Sequence, residues 1–409
     1  MKILFINSLY APNASGGAEI ILQNHVEAMG KRGHSVSVLS LDNTNTVQND
    51  VINGVKVWRI GIKNICWPFG GEKASAWKRA IWHILDINNP FVKRIIANFV
   101  KSEQPDIVCI HNLAGWSVSV WSVLSNLNIP IVQVLHDPYL ICPRSNMFSR
   151  DRPCQRQCLK CRVMRLFHPR LSNKVTAVVG VSQFILEKMV RYGYFSNVPI
   201  REVIHNARQM NIGAEVRRPG TRALDSRVTF GFIGRLMPSK GIELLLDTFI
   251  NHSPESWSLV IAGSGKIEYE TYLKNKFSHE RVDFIGRVQP EIFFEKIDFT
   301  VVPSLWEDTY PGVVFESFFF GVPVLGSNRG GIPEMIQEGV NGVLFDPDDC
   351  CSLYALMGDV AANREYWQTS SHAIMGMSHA FFDVDAWTER WEELYFNVLK
   401  KHTGENSVV

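Results

Sequence analysis

Short, nearly unbroken apolar runs recur along the chain, separated by glycine-bearing polar turns and by stretches of helical period. A first series comprises Lys2–Ile6, Ser35–Ser40, Val55–Ile60, Asp106–His111, Pro130–Leu135, Val175–Val179 and Arg201–His205. A second comprises Val228–Ile233, Leu259–Ala262, Val282–Ile285 and a strand closed by Val301 and Val302. Runs of this length without polar alternation are those of parallel strands covered on both faces. Between them, Ile20, Ile21, Val26 and Met29 give one face to a helix from Ala18 to about Arg32, stopped by Gly33. Further helices are predicted from about Phe91 and over Ile242–Ile250, and a last one carries Trp387, Trp391, Leu394, Tyr395, Val398 and Leu399 on one side. Alternating strands and helices make an α/β class, doubly wound parallel sheets in two domains. The boundaries read as 1–207 for the first domain, 208–227 for an aperiodic linker, 228–385 for the second domain and 386–409 for the terminal helix.

The densest pattern lies in the second domain. After Val302, Ser304 to Tyr310 is a polar and aromatic loop, and Pro311 suits the first position of a helix running to about Phe320. The first-turn amides of Gly312, Val313 and Val314 would then be unpaired, which favours an anion such as phosphate. Asp308 and Glu316 bracket that turn with seven residues between them. A second strand–loop–helix is expected from Gly321 through Gly330-Gly331 to Glu334. Arg235 and Lys240 follow Gly234 across a glycine-bounded turn, a guanidinium fork and a flexible ammonium that could meet adjacent phosphates. Two basic residues on a loop are also commonly just solvent-facing. Gly16-Gly17, at the first strand-to-helix turn, could bring amides to an anion or be a plain connection. No GxGxxG fingerprint with a following acid is present after the first strand of either half, which argues against a dinucleotide cofactor.

The acidic-x7-Glu pattern of Asp308 and Glu316, with Gly234, Arg235 and Lys240 upstream, resembles the retaining nucleotide-sugar glycosyltransferases of family four, the group 1 glycosyl transferases. The resemblance covers nearly the whole chain and implies a GT-B fold of two facing Rossmann-like domains, with the last helix crossing back to the first. It assigns the donor diphosphate to Arg235, Lys240 and the amides at Gly312 and Val313, the ribose to Glu316, and the base to backbone at Arg287-Val288. It gives the donor sugar to the first acid and to His136, which ends the Pro130–Leu135 strand, and turns Gly16 and Gly17 towards acceptor and donor phosphates. Gly330, Gly331 and Glu334 would line the donor side. The family usually has Glu at the first acidic position; here the register that keeps Pro311 and Glu316 aligned puts Asp308 there, with Glu307 one step upstream. The catalytic set implied is His136, Asp308, Arg235, Lys240 and Glu316, working without a cofactor or catalytic metal. The donor is a nucleotide-diphospho-sugar, a hexose or mannose, and the acceptor a glycan or lipid-diphosphate-linked sugar of the cell surface. The rivals are a GT-B nucleotide-sugar epimerase and a catalytically silent homologue that serves as a binding partner.

Composition sharpens rather than changes this picture. With 409 residues, 46% of them hydrophobic, and a net charge of +2, the chain has room for two cores and no electrostatic bias towards nucleic acid. Met1-Lys2 leads straight into a strand and no apolar span reaches bilayer length, so the expected place is the cytoplasm or the cytoplasmic face of the membrane. From Cys142 to Lys174, nine basic residues face one acid. That is either a solvated loop or, with the Trp-rich segment around Trp77 and Trp82, a surface for anionic lipid. Cys142, Cys154, Cys158 and Cys161 lie in this stretch, either as free thiols or as a structural zinc set. Asp383-Val-Asp385 reads as a helix cap rather than a metal motif.

Overall fold

The computed structural model describes residues 1–13, 16–44, 46–69, 75–149, 152–209 and 227–404. The chain forms two compact units: residues 1–146, 156–209 and 383–409, and residues 147–155 and 210–382. Most of the segment read as a linker, 210–226, lies outside the described residues.

The first unit is built on one sheet whose strands run, across its width, Ile200–Val203, Ala177–Gly180, Ile131–Leu135, Ile107–Ile110, Lys2–Ile6, Ser35–Asp42, Val55–Gly61 and Val47–Ile52. All neighbours are parallel except the last pair, where Val47–Ile52 returns antiparallel to Val55–Gly61. Ile3, Leu4, Phe5 and Ile6 are fully buried, as are Val108, Cys109 and Ile110, because helices cover both faces. The terminal helix Val384–Thr403 belongs to this unit, its start capped by Asp383, whose carboxylate accepts from the Ala386 amide at 2.9 Å. It packs on the Gly17–Lys31 helix: Tyr395 meets His25, Glu392 meets Arg32 and His34, and the tilted Trp391 ring lies 4.2 Å from that of His25.

The second unit has six parallel strands in the order Val282–Gly286, Trp257–Ala262, Val228–Ile233, Phe299–Val302, Val324–Ser327 and Gly342–Phe345. The Gly312–Phe319 helix packs on the Arg364–Phe382 helix through stacked Phe315 and Phe381 and edge-on Phe319 and Phe382. In each sheet the strand order reverses beside the unit's first strand, and that reversal opens a crevice at the strands' carboxyl ends.

Two local expectations are corrected. Pro311 is the N-cap, with an extended backbone (φ −71°, ψ 122°), so the helix begins at Gly312. The Val314 amide accordingly donates to the Pro311 carbonyl at 3.1 Å and is not unpaired, leaving Gly312 and Val313 as the open end. After Gly330-Gly331 the chain makes only a 3₁₀ turn, Ile332–Glu334, rather than a helix, because the Val340-Asn341 turn follows at once and leads into Gly342–Phe345.

Candidate functional site

In the second unit, two loops leave the strands on either side of the reversal, Gly234–Gly241 after Val228–Ile233 and Pro303–Pro311 after Phe299–Val302. The first lies on the Gly263–Gly265 turn. Gly234 N–H donates to the Ala262 carbonyl at 3.1 Å and Leu236 N–H to the Ser264 carbonyl at 2.9 Å. A Cβ on Gly263 (φ +122°) would stand 1.8 Å from the Gly234 carbonyl oxygen, so only glycine permits this approach. Gly241 closes the loop at φ +72° with its Cα against the Pro303 carbonyl.

The two loops are tied together. The amides of Leu305 and Trp306 both donate to the Ser239 carbonyl, at 3.0 and 3.2 Å. Arg329 Nη1 donates to the Leu305 carbonyl at 2.7 Å while its guanidinium is ion-paired with Asp348. Lys240 Nζ is hydrogen-bonded and ion-paired to Asp308 Oδ2 and lies 5.3 Å from the Trp306 ring centre. The Asp308 carbonyl accepts from the Gly331 amide at 2.7 Å, and a Cβ on Gly330 would stand 2.1 Å from that carbonyl oxygen. Asp308 is thus held almost buried at 6% exposure by Lys240 and the Gly330-Gly331 turn. Glu316 folds back along its helix, with Oε1 only 3.1 Å from where a Gly312 Cβ would stand. Arg235 is exposed on the same loop as Lys240, and Glu307 is half-buried beside Asp308 in sequence. Val288 turns its side chain to the apolar cluster of Phe294 and Phe320, which leaves backbone as its outward chemistry. Glu334 is exposed.

Together the loops present an exposed guanidinium, a half-buried ammonium and the open amides of a helix start, with two carboxylates beside them. Cations and oriented amides suit an oligophosphate, and carboxylates suit hydroxyl groups. Ser239 and Arg329 were not singled out in the sequence. A glycine after Lys240 is a legible sign of a left-handed turn, but nothing in the sequence marks Arg329 or the Ser239 carbonyl.

In the first unit, His136 stands at the end of Ile131–Leu135 and His111 just past Ile107–Ile110, with His111 Nδ1 2.9 Å from His136 Nε2. His111, His136, Asp137 and Tyr139 line a small concavity there. His136 keeps an edge open to it, yet burial of the ring lowers its pKa to about 4. Burial likewise lowers His111 and His25 well below the ordinary range, with His136 adding to each. Burial, and then the nearby Glu19, raise Asp137 to about 7. Gly16 is the extended N-cap of Gly17–Lys31, and Glu19 Oε2 lies 3.4 Å from where its Cβ would be, which puts a carboxylate at that helix start.

Of the four thiols, Cys142 and Cys161 are brought together, sulfur to sulfur 3.9 Å, close to the spacing of two thiolates on one zinc. Cys158, though exposed, also shares a side-chain hydrogen bond with Cys161, and Cys154 lies in the 147–155 segment of the second unit. Among the described residues, the set of three metal-competent side chains whose ligand atoms lie within 4.8 Å of one another is instead His25, Cys109 and His111.

The neutral histidines have a consequence for stability. Their folded pKa values lie below the unfolded value of 6.5, so the stability they contribute is present above pH 6.5 and lost as pH falls from there towards 4. Asp86 and Asp137, raised to about 7, act oppositely, losing stability as pH rises through 7. His83 and His168 are also lowered, so the histidines outnumber the carboxylates. The free energy of unfolding is therefore expected to fall from pH 7.5 to 5.5, by ~1.4 kcal/mol per pH unit for each net proton taken up on unfolding, and the urea midpoint with it. A midpoint that rises over that interval would contradict the buried, neutral assignment.

Comparison with known proteins bears on both units. Residues 15–207 match the family model described as Glycosyltransferase Family 4, and residues 227–363 that described as Glycosyl transferases group 1. An uncharacterized 42.6 kDa protein in the cps region of Klebsiella pneumoniae is 29% identical over 82% of this chain and 87% of its own length. The lipopolysaccharide 1,2-N-acetylglucosaminetransferase of Salmonella typhimurium is 27% identical over 58% of this chain and 66% of its own. Among solved structures, Anabaena Alr3699/HepE in complex with UDP and glucose superposes with a TM-score of 0.69 at 19% identity, covering 97% of this chain and 99% of the other. That likeness is one of fold, two Rossmann-like parallel-sheet domains of the GT-B type.

Proposed function

The chain belongs to the group 1 glycosyltransferases of GT-B fold, and from that premise we propose that it is a retaining enzyme of cell-surface polysaccharide synthesis, moving a hexose from a nucleotide-diphospho-sugar to a glycan or lipid-diphosphate-linked acceptor. The observation that carries the proposal is the joined pair of loops in the second unit, with Arg235, Lys240 and the Gly312 helix start on one rim and Asp308 and Glu316 beside them. Relatives support the setting: one is encoded in a cps region, another is a lipopolysaccharide transferase, and a structure of the same fold holds UDP and glucose.

In this reading Arg235 and Lys240 bind the diphosphate and Glu316 the ribose hydroxyls. Charge grows on the β-phosphate as the glycosidic bond breaks, so cations and fixed amides stabilise the transition state more than the bound donor. The acceptor hydroxyl attacks from the face the nucleotide leaves, and its proton passes to the departing phosphate oxygen. Asp308 orients the sugar. On the first unit, neutral His136, which shares a hydrogen bond with His111, takes the sugar-side role. The electrostatic work falls to protein groups, so turnover is expected to survive a chelator.

Calorimetric titration with UDP, GDP and ADP tests the donor half. One of the three should bind with micromolar affinity, and Arg235→Ala and Glu316→Ala should each weaken it about tenfold or more. Binding unchanged in both variants would remove the assignment.

A further inference from the structure

Two short helices of the first unit turn apolar side chains outward. On Ala76–Ile87 the residues Trp77, Ile81 and Ile84 recur at i, i+4 and i+7, one stripe of the helix. On Leu159–Met164 and the turn after it, Leu159, Val163, Leu166 and Phe167 do the same. All seven are between 39 and 77% exposed. Single exposed apolar residues are ordinary, but two adjacent stripes are not.

The helices are neighbours, and what fixes them lies beneath the stripes. Asp86, on the inner face of the first, is paired with Arg165, just past the end of the second, at 3.8 Å, and both side chains are 1% exposed. Asp86 also accepts from the Gly115 amide at 2.9 Å and from the Tyr139 hydroxyl, and Arg165 lies over the Tyr139 ring. A buried, multiply bonded ion pair specifies an arrangement more than it stabilises it. Here it holds two helices so that their polar anchors face in and their apolar stripes face out.

Lys78, Arg79, Lys160 and Arg162 are exposed and interleave with the stripes, and neither helix carries an exposed acid. Apolar side chains flanked by unopposed cations match an interface with an apolar interior and an anionic rim. A nucleic acid would leave the apolar stripes unmatched, and no helix among the described residues is long and apolar enough to cross a membrane.

We propose that this paired-helix face seats the protein on an anionic phospholipid bilayer, with Trp77, Ile84, Leu166 and Phe167 entering the headgroup–acyl boundary and the four cations meeting lipid phosphates. It deepens the acceptor half of the proposed function, on which its biological role rests, because it names the surface where a lipid-linked acceptor is met. Vesicle binding itself does not depend on sugar transfer: a chain that bound vesicles and transferred nothing would refute that function and keep this surface.

The test is flotation of the full chain with vesicles of phosphatidylcholine containing about one-third phosphatidylglycerol, against pure phosphatidylcholine. The protein should float with the anionic vesicles and largely stay behind with the neutral ones. Trp77→Glu with Ile84→Glu, and separately Leu166→Glu with Phe167→Glu, should cut the bound fraction at least tenfold. Lys160→Ala with Arg162→Ala should weaken it roughly fivefold per residue removed. All these positions are exposed, so circular dichroism and nucleotide titration should match the parent chain. No flotation of the parent, or equal flotation of all variants, would overturn the proposal. So would an oligomer in free solution that the same substitutions dissociate, which would make the face a protein interface.

Discussion

Lys240→Ala should lose nucleoside-diphosphate affinity, and Asp308→Asn should not. The two residues share one hydrogen-bonded ion pair across the joined loops, with Asp308 almost buried and Lys240 half-buried. Removing Lys240 deletes the cation proposed to bind phosphate and leaves Asp308 without its counter-charge. Affinity should fall at least tenfold and turnover ~10²–10³-fold, as for loss of one transition-state donor. Stability should drop by about 2 kcal/mol, less than a fully buried pair would give because Lys240 keeps some contact with solvent. Asp308→Asn keeps shape and backbone bonds while removing a negative charge from beside the phosphates. Affinity should hold or rise, and turnover should fall because the donor sugar loses its carboxylate. Glu307→Gln should be milder than either. Titration and steady-state rates on the same three variants decide the matter. Weakened binding in Asp308→Asn, or a larger loss in Glu307→Gln, would move the acidic role to Glu307.

The second large effect is expected at a residue with no side chain. Gly241→Ala asks a left-handed position to accept a Cβ that would stand 1.7 Å from the Pro303 carbonyl oxygen. The obstacle is main chain, so it cannot step aside as a flexible side chain would. The turn must open, and with it go the Leu305 and Trp306 amide bonds to the Ser239 carbonyl that join the two loops. A loss of roughly 3 kcal/mol or more is expected, combining the cost of a non-glycine left-handed residue with two broken backbone bonds. Nucleotide binding should weaken with it even though no ligand-facing atom has changed. Gly339→Ala is the control, since it too has positive φ but nothing within 4 Å of its Cβ. It should cost only ~1 kcal/mol and leave binding intact. Equal losses in the two variants would show that loop junction is not what Gly241 protects.

These effects also mark where sequence reading stops. Central strands were legible because burial on both faces forces continuous apolar runs; Val228–Ile233 has the same bounds in sequence and structure. The edge strand Val47–Ile52 was not, since it is exposed almost throughout and its polar residues carry no apolar pattern. Local chemistry was visible where it has a spacing, as in Gly234 to Lys240 or Asp308 to Glu316. Pairs that the fold assembles from distant segments have none. Lys240 meets Asp308 across 68 residues, and His111 meets His136 across 25 from a neighbouring strand. The sequence marked Lys240 and Asp308 separately, as clamp and acid, and gave no sign that each holds the other. The cysteine spacing was conspicuous, but spacing does not show which thiols meet: Cys142 and Cys158 both approach Cys161, while Cys154 lies in a segment of the other unit. The basic stretch from Cys142 to Lys174 likewise hid that one of its cations, Arg165, is buried and structural.

The proposed transfer of a sugar from a nucleotide keeps the anomeric configuration. Proton NMR on a reaction of the protein with a nucleotide α-sugar and membrane-extracted acceptor follows this directly, because the coupling at the anomeric proton reports configuration as product first appears. Release of the nucleoside diphosphate together with a new α-linked sugar is expected, both slowed ~10²–10³-fold in Lys240→Ala. A β-linked first product, or an isomerised nucleotide sugar with no acceptor consumed, would contradict it.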